Sequence, residues 1–229
     1  MPIAGNPFTE TLLLISSFFP LIPAGLIFLK KKFDKAPLNL LLIICLLNFI
    51  EGLSHSLSTR SNGIILAQYI ENQYITKNIF SLLELVLLLQ LFKPLFEHRF
   101  KYLLNILLVM CLSVIATYFS VKGWNQENLE LDTFRSVLLT GVILAGLPRL
   151  VRTANIYIFR SPFFWIAIGS LFNTLLCLLL QWVNPCCQPA NQTFPPEYTI
   201  FLVIAALVRY SLYTLAILTP GPDEGSEDQ

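Results

Sequence analysis

Residues 162–182, PFFWIAIGSLFNTLLCLLLQW, run for 21 positions without a charged side chain. A helix rises about 1.5 Å per residue, so this run reaches across the roughly 30 Å of bilayer hydrocarbon. No water is present there to bond a free backbone amide, so the run is a helix. Six other runs read the same way: residues 11–29, 37–57, 74–92, 102–120, 134–151 and 199–218. Lys77, Glu84 and Arg135 interrupt two of them. The connections are short, so residues 1–219 form one all-α domain, an integral membrane bundle of seven transmembrane helices. Residues 220–229, PGPDEGSEDQ, read as an acidic disordered tail.

Composition agrees. The chain of 229 residues is 55% apolar and 13% charged, against about 45–50% and 25% in soluble domains. Five cysteines make no disulfide scaffold. A net charge of +1, with no basic patch carrying interleaved aromatics, excludes a nucleic-acid reader.

The basic residues are placed asymmetrically. Lys30, Lys31, Lys32 and Lys35 follow the first run; Lys93, Arg99 and Lys101 follow the third; Arg149, Arg152 and Arg160 follow the fifth. These alternate connections hold ten of the fifteen basic residues. Positive loops stay in the cytoplasm, which predicts an outside N-terminus, a cytoplasmic C-terminus and a multi-pass protein of the cell inner membrane. Met1–Glu10 has no basic segment ahead of the first apolar run, so that run reads as a membrane helix and not a cleaved signal peptide.

Charges at mid-membrane cost roughly 2.5–3.5 kcal/mol each on insertion scales, so each needs a reason. Counted from the outer face, Glu84 and Arg209 lie about 10 residues deep, and Asn48 and Asn173 about 9. Glu51 and His55 follow Asn48 at i+3 and i+7, on its face of the second helix. Arg135 falls close to the outer surface, where it is expected to snorkel. One reading is a polar cavity in the outer half, lined by Asn48, Glu51, His55, Glu84, Asn173 and Arg209 and closed by a Glu84–Arg209 pair. It would take a small zwitterion or anion, or relay protons. The other reading is a structural ion pair with amides bonding helix to helix.

A shift of 125 positions overlays Pro23 on Pro148, Pro37 on Pro162, Asn48 on Asn173 and Glu84 on Arg209. Helices one to three then correspond to five to seven, with the fourth as linker. Pro23 and Pro148 would each kink a helix near its cytoplasmic end. This parallel 3+1+3 layout resembles the sugar-exporter and PQ-loop transporters, whose site lies between the halves. Here Ala24 and Arg149 follow the two prolines in place of glutamine.

Other chemistries find little support. A retinal pigment needs a lysine in helix seven, and this helix has Arg209, so no cofactor is expected. The two histidines, His55 and His98, fall on opposite faces, and no metal-ligand spacing appears. No nucleophile–base pair or catalytic motif is present, so an enzyme is the least favoured class. Cys45, Cys111 and Cys177 read as packing residues. Cys186 and Cys187, adjacent in an outer loop, would be strained as a disulfide, leaving free thiols or a link to another chain as alternatives.

The stretch from Tyr74 to Leu85, YITKNIFSLLEL, and that from Arg160 to Gly169, RSPFFWIAIG, resemble the third helix and the start of the sixth in a family of small seven-helix membrane proteins from Bacteroidota. The likeness spans residues 11–218. It implies one buried acid and a sensory role beside a signalling partner protein. The expected function is therefore a receptor-like or sensory module binding a small ligand in the outer half, with membrane lipid around it. The alternative is a small-molecule transporter with a midplane site.

Overall fold

The computed structural model describes residues 7–30, 36–60, 66–96, 98–123, 129–187 and 196–219. The tail at 220–229 and residues 188–195 lie outside the described residues, as do the side chains of Cys186 and Cys187. Among the described residues the elements are α1 (Pro7–Ser17), α2 (Leu21–Leu29), α3 (Ala36–Arg60), α4 (Leu66–Phe92), α5 (His98–Lys122), α6 (Leu129–Ala154), α7 (Pro162–Cys187) and α8 (Pro196–Leu218), with no strand. Short 3-10 turns follow α4 at Lys93–Leu95 and α6 at Asn155–Arg160. Among the described residues seven stretches are helical, long and apolar enough to cross a membrane: Thr11–Leu29, Pro37–Ser54, Ile75–Leu95, Phe100–Val121, Leu131–Arg152, Pro162–Val183 and Ile200–Leu218. The chain is a multi-pass bundle.

The first span is not one continuous helix, as the sequence led us to expect. It breaks at Phe18–Pro20, and Pro20 caps the start of α2. Proline has no N–H to continue the helix and its ring crowds the preceding turn. The hydroxyls of Ser16 and Ser17 donate to the carbonyls of Leu13 and Leu14, occupying acceptors at the end of α1. Pro23 sits inside α2, and Pro148 inside α6.

The packing order is a closed ring. α3 packs on α4, and both α1 and α2 pack on α3 and α8. α8 packs on α7, α7 on α6, and α6 returns to α4. Six spans therefore enclose a centre, while α5 leans chiefly on α4 and its neighbouring turn. Leu103, Ile106, Val109, Met110 and Val114 of α5 are accordingly exposed, which in a membrane means facing acyl chains. Within the ring the third and seventh spans stand opposite each other. Exchanging spans one, two and three for five, six and seven leaves every ring neighbour unchanged.

Small residues set two of the contacts. A Cβ on Gly169 would lie 3.1 Å from the Arg209 carbonyl oxygen and 3.2 Å from Leu212 Cβ. A Cβ on Gly52 would lie 2.6 Å from Ser17 Cβ. Glycine at these positions lets α7 approach α8, and α3 approach α1, closely.

Candidate functional site

Each ring helix turns one row of side chains inward, and the polar residues continue those rows. On α4 the row is Lys77, Ser81, Glu84 and Leu88; Ile79 and Leu83 point the other way and are exposed. On α8 it is Ala205, Arg209, Tyr213 and Ala216, all buried. On α3, Leu41 and Cys45 lead to Asn48 and then Glu51. This is the i, i+3/i+4 spacing of one helix face.

Glu84 is the hub. Both it and Arg209 are buried, and an Arg209 Nη2 hydrogen bond to Glu84 Oε1 spans the ring centre. Asn48 Nδ2 donates to the same oxygen at 3.2 Å. The second oxygen, Oε2, accepts from Arg135 Nη1 at 3.2 Å, and that nitrogen also donates to Ser81 Oγ at 2.8 Å. One carboxylate thus serves two guanidiniums from α8 and α6.

Arg135 departs from the sequence expectation. It does not snorkel outward; it leans inward to Glu84. α6 packs beside α4, and the long arginine stem carries its guanidinium inward to hydrogen-bond reach of Glu84. The attraction of a carboxylate in a low-dielectric centre outweighs the pull of the interface.

The far side of Arg209 is equally well held. Its Nε donates to Tyr213 Oη at 3.0 Å, and its guanidinium carbon stands 5.3 and 5.5 Å from the ring centroids of Tyr213 and Tyr210. Tyr213 Oη shares a 2.7 Å hydrogen bond with Ser170 Oγ of α7. Thr174 Oγ1 donates to the Ser170 carbonyl at 3.0 Å and accepts from Thr140 Oγ1 of α6 at 3.2 Å. A polar belt therefore runs from α3 through α4, α8 and α7 to α6, and Arg135 closes it back to Glu84.

One level nearer the less basic end, Lys77 of α4 pairs with Asp132 of α6 at 3.6 Å. Glu51, half-buried on α3, lies in the field of Glu84, Arg135, Lys77 and Asp132. Charges of alternating sign thus lead from the ring centre toward that end. Arg135 Nε is buried with no hydrogen-bond partner among the described residues.

Of the six residues expected to line a site, Asn48, Glu84 and Arg209 meet directly, and Glu51 lies beside them. Asn173 is half-buried and makes no hydrogen bond to the cluster among the described residues. Its helix contributes through Ser170 and Thr174 instead. The side chain of His55 lies outside the described residues. Sequence reading missed Ser81, Thr140, Ser170, Thr174 and Tyr213. The available signal was spacing: Ser81 lies three before Glu84, Tyr213 four after Arg209, and Thr174 four after Ser170. Among the described residues no group of His, Cys, Asp and Glu could hold a metal ion. Cys45, Cys111 and Cys177 are free thiols. Comparison of the chain with protein-family models, curated proteins and solved structures finds no match.

Proposed function

We propose that the protein is a receptor-like membrane module that takes a small polar molecule from the outer face into the ring centre. The N-terminus lies outside and the positive connections lie in the cytoplasm, in the inner membrane. The observation that carries this reading is the sharing of Glu84 between two arginines. A structural ion pair needs one guanidinium per carboxylate, because each uncompensated buried charge is costly. Here a second guanidinium is brought in and one of its donors stays unpaired among the described residues. Such an open donor, at the foot of a charged path toward the outer end, suits a ligand's oxygen. In the Bacteroidota family that the sequence resembles, Glu84 would be the buried acid of the third helix.

The test is native mass spectrometry and thermal denaturation of the purified protein in nanodiscs. A co-purified or added small polar molecule is expected to bind and to raise the melting temperature, and Arg135→Gln to abolish both effects. Ligand binding untouched by Arg135→Gln would overturn the assignment.

Transport is the second reading, favoured by the exchangeable halves of the ring. Glu84 and Arg209 join opposing spans there, as a gate between two rocking units would. Flux into proteoliposomes that is lost in Glu84→Gln selects transport. Binding without flux, dependent on a partner chain for any output, selects the receptor.

A further inference from the structure

Two side chains above the hub have valences that the bundle leaves unused. Arg135 commits Nη1 to Ser81 and Glu84, while its buried Nε has no partner among the described residues, and its side chain is 21% exposed. Glu51 is half-buried on the neighbouring wall. No hydrogen bond to its carboxylate is found among the described residues; only its backbone carbonyl is engaged, by Ser54 Oγ. The two stand on α6 and α3, on either side of α4, and each lies in the other's field.

Resting on the small-ligand reading above, we infer that the ligand is a zwitterion with separate carboxylate and ammonium poles, of the α-amino-acid kind. A carboxylate fits the free edge of Arg135, because a guanidinium presents parallel N–H donors to two oxygens. An ammonium fits Glu51, an acceptor with open lone pairs. The charge count favours both poles together. Glu84 offsets one of its two arginines, Lys77 pairs with Asp132, and Arg135 and Glu51 remain as opposite charges that no hydrogen bond joins among the described residues. An anion alone would leave Glu51 unmatched, and a cation alone would leave Arg135 unmatched. A zwitterion matches both without changing the net charge of the buried centre, which a low-dielectric site penalises.

The experiment is calorimetry and thermal shift on the nanodisc-reconstituted protein with three probe sets: the common α-amino acids, small monocarboxylates such as propionate, and small monoamines such as propylamine. At least one amino acid should bind, with the monocarboxylates and monoamines weaker by roughly 10- to 100-fold, the worth of one charge-assisted hydrogen-bonded pole. Glu51→Gln should erase the preference for the zwitterion over the carboxylate and leave carboxylate binding intact. Arg135→Gln should abolish both. Monocarboxylates binding as well as amino acids, with Glu51→Gln silent, would overturn the zwitterion while leaving the small-ligand reading standing. If nothing in any set binds, the zwitterion falls; if the natively co-purified fraction is also empty of small molecules, the ligand reading falls with it.

Discussion

Glu84 and Arg209 come from spans that face each other across the ring, and their hydrogen bond crosses its centre. α4 and α8 each pack on other neighbours, so the two are joined by long side chains reaching inward. The pair is therefore sensitive to how the whole ring closes, and so is anything that binds beside it.

Removing the carboxylate should be worse than removing either arginine. Glu84→Gln leaves two guanidiniums uncompensated in the centre, at a cost of about 3–5 kcal/mol. Arg209→Gln leaves Glu84 still paired with Arg135, and should cost about 1–3 kcal/mol. Unfolding in mixed detergent micelles of graded denaturing strength measures both. An arginine variant less stable than the glutamate variant would contradict the shared-carboxylate arrangement.

The glycines should rank by what surrounds them. Gly52→Ala drives a Cβ to 2.6 Å from Ser17, and Gly169→Ala presses on the backbone of Arg209. Each should lose about 1–3 kcal/mol by overpacking. Gly141 has nothing within 4 Å, so Gly141→Ala should be neutral or gain up to about 1 kcal/mol from helix propensity. The same unfolding assay, run on all three, reads the order.

Tyr213→Phe removes the hydroxyl that accepts from Arg209 Nε and bonds Ser170. Interhelical hydrogen bonds in membranes are worth about 0.6–1.7 kcal/mol. A loss in that range is expected, with the fold intact by circular dichroism. A loss below measurement error would show that the belt between α8 and α7 contributes shape and not stability.

The proposed orientation predicts reporter behaviour. Alkaline phosphatase, active only outside the cytoplasm, should be active when fused at residue 62 or 190 and inactive at 97 or 158. A green fluorescent protein at those sites should give the reverse pattern. Activity at residue 97 would invert the topology and move the charged path to the cytoplasmic end.

Seven spans could be read from the sequence because hydrocarbon imposes one requirement, length without charge, on each run separately. The meeting of Glu84 with Arg209 was also legible, since equal depth on two helices limits where such costly groups can go. Depth misled at Arg135, because a residue counted near the surface can extend inward along its own stem. Nor did the seven-run pattern reveal the break at Pro20, where one proline sits among several that the helices tolerate, as Pro148 does within α6.

What the residues determined by themselves is how many runs are long and apolar enough to cross a membrane, and that the few buried charges must find partners. Those are local demands of an apolar solvent on single helices. Which faces turn inward together, that α5 stands outside the ring, and that Ser170 and Thr174 rather than Asn173 carry the belt through α7, were decided by tertiary packing. Rotation of a helix about its axis costs little in lipid until close contacts such as Gly169 against Arg209 lock it. Only the assembled ring supplies those contacts.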